Sequence, residues 1–320
     1  MDVFTNLFLL LFALIILIGA ASEMVESSIY IAKKLNIPKA IIGATILAYG
    51  TSSPEILVSL QANLNNEASI ALGNVIGSNI ANVCVGMGIL YFYGIKKLNI
   101  KPDFTISILF LILSTFVVIF HMSDGVIARH EGFVQIGILI ALNVLLIREA
   151  HNVESEAQVA LSDYSFYGYK TNTLILICLI LIFSIIILIF SSNLVVIYAI
   201  ESATLLKIDA SFIGLSIIAV GTSLPEILVT IASIKKKEFS IAIGNIVGSN
   251  ILNMLGVLGI PALFSTFDIS SDDLNYQMIF LFLSSLLIFI PFIIDKFRKT
   301  ISVVYFALYI FTLYYFGVNA

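Results

Sequence analysis

A chain of 320 residues in which 60% of side chains are hydrophobic and 11% charged, with a mean hydropathy of +1.09, is far more apolar than a soluble domain, where the apolar share is about 45–50%. The net charge of −4 says little about partners, and no basic block or aromatic–basic interleaving points to nucleic acid. Apolar runs of about 20 residues, long enough to cross a hydrocarbon core of about 30 Å, recur along the whole chain, so the lipid bilayer is the environment that this sequence demands.

Taken in order, the first run extends from about Phe4 to Ile31 within a span at 3–32. It lacks leading basic residues and a cleavage site, and it is too long for a signal-peptide core, so it reads as a mature span. Glu23 and Glu26 near its end read as a solvated face. The second span, 37–63, carries Gly50-Thr51-Ser52-Ser53-Pro54-Glu55 near its centre, and the third, 69–95, carries Gly73-Asn74 and Gly77-Ser78-Asn79 with Asn82. Spans at 104–122 and 125–148 follow, then a polar stretch at 151–170. The sixth span lies at 172–205, the seventh, 208–234, carries Gly221-Thr222-Ser223-Leu224-Pro225-Glu226, and the eighth, 239–265, carries Gly244-Asn245 and Gly248-Ser249-Asn250 with Asn253. Spans at 274–294 and 300–317 close the chain. The two cysteines, Cys84 and Cys178, sit in apolar stretches and form no ligand or disulfide pattern.

With ten spans, alternate loops divide the basic residues unequally. Fourteen fall on one side, among them Lys33, Lys34, Lys39, Arg148, Lys170 and Lys235, and two, Arg129 and Lys207, fall on the other. The positive-inside rule makes the rich side cytoplasmic, which predicts both termini outside, the 150–170 loop inside and a multi-pass location in the plasma membrane. The sequence also repeats itself. Ile42 to Ile89 aligns without a gap on Ile213 to Ile260 at a constant offset of 171 residues, with about half the positions identical. Five spans separate equivalent points, and an odd number means that the second copy enters the membrane from the opposite face. The expected fold is therefore all-α: ten transmembrane helices in two inverted five-helix repeats with discontinuous helices at a central site. Residues 1–150 form the first repeat (motif 42–89), 151–170 a cytoplasmic linker and 171–320 the second repeat (motif 213–260).

Glu55 and Glu226 stand at the depth where a carboxylate is most costly, several kcal/mol on insertion scales, and no Lys or Arg lies near the centre of any span to pair with them. A cation is the expected partner. Pro54 and Pro225 lack an amide proton and clash with the carbonyl four residues back, so they break their helices and free backbone oxygens near Gly50 and Gly221. Thr51 and Ser52 lie four and three residues before Glu55, and Ser78 with Asn82 and Ser249 with Asn253 share a helix face by their spacing. Two carboxylates with hydroxyl, amide and carbonyl oxygens, and no soft ligand, suit hard cations such as Na+ and Ca2+. Against this, Gly73, Gly77, Gly244 and Gly248 read first as helix-packing positions, and the asparagines and serines have interhelical hydrogen bonding as their plainer role.

The paired GTSSPE with GNVIGSNIAN, and GTSLPE with GNIVGSNILN, resemble the two signature repeats of the sodium/calcium exchanger branch of the cation/calcium exchanger superfamily. The resemblance implies a site with Glu55 and Glu226 as central ligands and with hydroxyls or carbonyls from Thr51, Ser52, Thr222 and Ser223. Carbonyls of Ala48 and Ala219 would serve Na+, and Ser78, Asn82, Ser249 and Asn253 would complete the cage. It also implies alternate occupation by Na+ and Ca2+, sliding of the first spans of the two halves, and three Na+ exchanged for one Ca2+. No cofactor and no obligate protein partner are implied; the ions are transported substrates. Asn253 stands where some potassium-dependent relatives have Asp, which leaves two carboxylates and argues against K+ cotransport. The Thr-Ser pairs before each glutamate differ from the asparagine usual in proton/calcium exchangers, which remains the alternative antiport reading. An intramembrane hydrolase built on Ser52 or Ser223 lacks a base, since His121, His130 and His151 fall at span ends, and two inequivalent halves enclosing one site favour a transporter over a channel.

Overall fold

The computed structural model describes residues 3–93, 102–152, 164–166, 169–206, 219–269, 274–290 and 298–319. The chain is almost wholly helical, as its composition requires, because in lipid each backbone amide must be satisfied within its own segment. Helix α1 spans Val3–Leu35. The next span is broken: α2 runs Lys39–Thr51, α3 runs Ser53–Leu64, and the two meet at a bend of 45°. Helix α4 is Ala68–Ala81, continuing through a π-helical turn at Asn82–Met87 into Gly88–Phe92. Helices α5 (Pro102–Met122), α6 (Arg129–Asn152) and α7 (Leu174–Leu205) follow. A second broken pair, α8 (Ala219–Thr222) and α9 (Leu224–Lys235), precedes α10, which is Phe239–Leu252 with a π-helical turn at Asn253–Val257 and a last segment Gly259–Phe264. Helices α11 (Leu274–Leu287) and α12 (Arg298–Asn319) end the chain.

Six of the described helices are long and apolar enough to cross a membrane, and the bent pair α2–α3 makes a seventh. The span expected at 208–234 begins outside the described residues, as do most of the 151–170 linker and the opening of the second motif at 213–218. One boundary is corrected. The span expected from 125 begins instead with the short strand β1 (Val126–Ile127), because Gly125 turns the chain at a φ of 84° and β1 pairs antiparallel with Phe267–Asp268 after α10. The helix itself starts at Arg129. The linker also contributes an antiparallel hairpin, β2 (Tyr164–Phe166) with β3 (Tyr169–Thr171); the strand that pairs with β1 is β4.

The helices sort into an inner and an outer set. The apolar window of α10 is 89% buried, whereas that of α1 is 22% buried, with Phe4, Phe8, Phe12 and Ile15 exposed along its outer side. Polar side chains concentrate inside, where Asn, Ser, Thr and Glu of α2, α3, α4, α9 and α10 are buried. This is the arrangement that lipid selects, since apolar residues lose nothing by facing acyl chains and polar groups need each other. At the centre α2 lies directly on α10: a Cβ at Gly244 would stand 2.3 Å from the Ala40 carbonyl oxygen, and one at Gly248 2.5 Å from that of Ala44. These two glycines therefore do what their spacing predicts, letting backbones meet. A Cβ at Gly73 would meet nothing within 4 Å among the described residues.

Helices α1 and α7 pack along each other and share an apolar cluster that includes Leu17, Met24, Leu181 and Leu188. The Lys34 ammonium near the end of α1 donates to the Asn172 carbonyl just before α7, so the two run antiparallel. At the same end Lys236 pairs with Glu26 at 2.6 Å, the Tyr164 hydroxyl donates to Glu23, and Lys39 donates to both oxygens of Glu238 at 2.8 Å. The glutamates of α1 are thus partnered to the linker hairpin and to α9, rather than simply solvated.

Candidate functional site

Both glutamates sit one turn into a helix that starts after a break. Ser52 ends α2 with φ −86° and ψ 7°, and Ser223 ends α8 with φ −84° and ψ 1°. The bridge-region value interrupts the helix, and Pro54 and Pro225 then occupy the first turn of α3 and α9, where a missing N–H costs little. The same conformations recur at the far ends of α3 and α9: Asn66 and Lys237 have φ of 61° and 60°, and Glu67 and Glu238 each donate their N–H to a carbonyl five residues back at 2.8 Å. Equivalent positions 171 residues apart have the same local geometry even where the side chains differ, as at Asn66 and Lys237.

Glu55 and Glu226 are no more than 1% exposed, and Thr51, Ser52, Ser78, Asn82, Ser223, Ser249 and Asn253 are equally buried. Their partners cross between the halves. The Ser52 hydroxyl donates to Glu226 Oε1 at 2.8 Å, and Thr51 Oγ1 lies 3.4 Å from both Asn245 Oδ1 and Ser249 Oγ on α10. The spacing argument placed Thr51 and Ser52 beside Glu55 of their own helix; the break at Ser52 instead turns Ser52 toward Glu226 and Thr51 toward α10. Among the described residues, seven buried oxygens of the expected set make no hydrogen bond of ordinary geometry: both of Glu55, Oε2 of Glu226, the hydroxyls of Ser78 and Ser223, and the Oδ1 atoms of Asn82 and Asn253. Buried polar atoms are normally paired, and an unpaired buried carboxylate is among the most costly of all groups. Such an arrangement provides hard oxygens, and two formal negative charges, for a desolvated cation.

Three members of the expected set are placed less directly. The Ala48 carbonyl accepts from the Ser52 N–H at 2.9 Å and from the Thr51 hydroxyl at 3.3 Å, so it is already engaged within its own helix. Ala219 is the first described residue of α8, and Thr222 is buried two residues before α9 begins at Leu224.

Four asparagines that spacing did not single out as ligands support the site. Asn82 Nδ2 donates to Asn250 Oδ1 at 3.1 Å and Asn253 Nδ2 donates to Asn79 Oδ1 at 3.1 Å. Asn82 corresponds to Asn253 and Asn79 to Asn250 in the repeat, so the pairing is reciprocal, as at an interface between two copies related by a two-fold axis. The Nδ2 atoms of Asn82 and Asn253 are thereby used, and their Oδ1 atoms are left over. Asn74 and Asn245 donate to the backbone carbonyls of Glu55 and Glu226, at 3.2 and 3.4 Å, and so fix the turn that bears each carboxylate. The signal for all four was their recurrence at the same offset inside the repeated motif. Asn82 and Asn253 each open a π-helical turn, a device that widens a helix at functional positions.

A multi-pass membrane protein with two broken helices, and with buried carboxylates facing unpaired oxygens, has the makeup of a membrane transporter for hard cations. The sodium/calcium exchanger protein family model matches residues 5–148 and 176–318, and the chain belongs to that family. It is 31% identical over 271 residues to the inner membrane protein YrbG of Escherichia coli, which covers 84% of this chain and 82% of the relative. It is 28% identical over 313 residues to the sodium/calcium exchanger MaX1 of Methanosarcina acetivorans, covering 85% and 86%. Among solved structures it is similar to the sodium-calcium exchanger NCX_Mj soaked with Na+ and Sr2+, at a TM-score of 0.79 and 26% identity over 98% of this chain and 99% of the other.

Proposed function

We propose that this chain is a secondary active antiporter that exchanges Na+ for Ca2+ across the plasma membrane by alternating access, with one net charge moved per cycle. Its ion ligands are Glu55 and Glu226, with oxygens from Thr51, Ser52, Ser78, Asn82, Thr222, Ser223, Ser249 and Asn253 and, for Na+, the carbonyls of Ala48 and Ala219. The architecture we assign is ten transmembrane helices, 1–150 and 171–320 being inverted five-helix repeats joined by a cytoplasmic linker, with both termini outside. The antiparallel course of α1 and α7, the reciprocal asparagine pairs and the charge asymmetry of the loops support it. The observation that carries the functional reading is the set of unpartnered buried oxygens around Glu55 and Glu226. With two carboxylates the site matches the charge of one Ca2+, and three Na+ would leave one positive charge over.

The test is 45Ca2+ uptake into Na+-loaded proteoliposomes, with the Na+ gradient and the pH gradient varied separately. Uptake that follows the Na+ gradient and persists without a pH gradient is expected. Uptake driven by pH alone would replace this reading with proton/calcium exchange. Current recorded on a solid-supported membrane tests the charge balance, since one net charge responds to potential by about 2.3 kcal/mol per 100 mV; electrically silent exchange would refute a stoichiometry of three to one.

A further inference from the structure

Pro225 has no N–H to offer the carbonyl of Gly221, four residues before it, and a carbonyl buried in a membrane protein needs a donor from elsewhere. The donor comes from a different helix. Ser192 of α7, 2% exposed, donates its hydroxyl to the Gly221 oxygen at 3.2 Å. One turn further along the same face of α7, Val196 presses on the same residue: a Cβ at Gly221 would stand 2.4 Å from Val196 Cγ2. Helix α7 is therefore seated on the break between α8 and α9 by a polar contact and a steric one, which together specify both the residue approached and its orientation.

The first half is not built this way. The repeat places Ala21 of α1 where the second half has Ser192, and alanine has no donor. Gly50, the counterpart of Gly221, is faced by the flexible end of Met24 from α1, whose Cε would lie 2.7 Å from an added Cβ, and by Ile185 from α7. Nearby, Ser53 donates to the Tyr49 carbonyl at 2.6 Å, a bond that Leu224 at the equivalent place cannot make. The two breaks thus have the same backbone at Ser52 and Ser223 but different supports.

We propose that Ser192 is a positioning residue of the ion site: by taking up the carbonyl that Pro225 frees, it fixes the α8–α9 break and so aims the oxygens of Ala219 and Thr222. It touches no ion. The proposal rests on the exchange reading above for the identity of the ions, and on the hydrogen bond alone for the structural effect. In that reading the Ala219 carbonyl serves Na+ and Thr222 is shared by both ions, whereas Ca2+ depends chiefly on the two carboxylates. Loss of the hydroxyl therefore separates the two ions, which a general loss of stability does not.

The experiment compares Ser192→Ala with Ser191→Ala. Ser191 is the neighbouring buried hydroxyl, and its bonds go to the Ile187 and Leu188 carbonyls within α7. Two quantities are read on purified full-length protein: hydrogen–deuterium exchange of peptides covering 219–227 in detergent, and half-saturation for Na+ and for Ca2+ in 45Ca2+ flux from proteoliposomes. Ser192→Ala is expected to speed exchange in 219–227 and to raise the Na+ half-saturation about three- to tenfold, as loss of one buried hydrogen bond does, while the Ca2+ value moves less than about twofold. Ser191→Ala is expected to leave both unchanged. Equal behaviour of the two variants, or unaltered exchange in 219–227 after Ser192→Ala, would overturn the proposal. Wild-type protein that shows no Na+-dependent Ca2+ flux would refute the exchange reading instead, and the deuterium measurement would still decide the role of Ser192.

Discussion

Replacing Glu226 by Gln keeps the volume of the side chain and an oxygen for the Ser52 hydroxyl, which now stands 2.8 Å from Oε1, but removes one negative charge from a site that is no more than 1% exposed. A pair of unit charges about 4 Å apart attract by about 4 kcal/mol at an effective dielectric of about 20, and a divalent cation doubles this to about 8 kcal/mol. Part of that is offset because the carboxylate no longer has to be kept out of water, a penalty of several kcal/mol. The net loss, about 3–5 kcal/mol, corresponds to a weakening of Ca2+ binding by about two to three and a half orders of magnitude. Glu55→Gln should do the same or more, since neither Glu55 oxygen has a hydrogen-bond partner among the described residues and the amide leaves only one good acceptor. Ser78→Ala, by contrast, removes one neutral oxygen that water can replace and should cost about tenfold or less. The assay is 45Ca2+ uptake over a range of Ca2+ concentrations, with folding checked by gel filtration. A Glu226→Gln variant that retains Ca2+ half-saturation within about threefold of wild type would refute the assignment of this carboxylate as a ligand.

Asn253→Asp should keep Ca2+ transport but make it fall more steeply than in wild type as pH is lowered, because the added carboxyl contributes charge only above its own pKa and loses it below; uptake measured across a pH series checks this. In the wild type, replacing K+ by choline should leave Na+-driven uptake unchanged, and transport that stops without K+ would show that Asn253 had been misjudged. Asn250→Ala deprives Asn82 Nδ2 of its acceptor and should lower stability by about 1–3 kcal/mol, seen as an earlier thermal transition in detergent. Gly248→Ala places a methyl 2.5 Å from the Ala44 carbonyl oxygen and should cost about 3 kcal/mol or more by forcing α2 and α10 apart; a variant as thermostable as wild type would contradict the packing described.

Seven of the expected spans, the breaks before Pro54 and Pro225, and the buried carboxylates were legible because each depends on local chemistry: apolar length, a missing amide proton, a charge without a neighbour. The repeat did the rest, since a pattern recurring at 171 residues marks the positions that the fold uses twice. What spacing could not show was which half a side chain addresses. Ser52 is three residues from Glu55 in sequence yet bonds to Glu226, because a helix break redirects the residue that forms it. The partnering of Glu23 with Tyr164 and of Glu26 with Lys236 was hidden for the same reason, as it joins a helix to a hairpin and to another helix far along the chain. The pairing of β1 with β4 was masked by apolar residues that continue the pattern of the next span.

The contact of α2 with α10 has a mechanical consequence. Where Gly244 and Gly248 meet Ala40 and Ala44, backbone touches backbone with no side chains between to deform, so the joint resists both sliding and rotation. A close-packed interface offers discrete arrangements rather than a continuum. Parts that carry the two halves of the proposed oxygen cage are therefore keyed together, and if the cage opens toward one face and then the other, as proposed above, that freedom falls to the layer outside it. Helices α1 and α7, whose outer faces present Phe8, Phe12, Phe183 and Phe190 to a medium that yields at every depth of its core, form that layer. On the alternating-access reading proposed above, the inner pair would act as a stator that fixes ion geometry and the outer pair as a shuttle that fixes access, with Ser192 the point where the two meet, and substitutions should sort between them by whether they change affinity or rate.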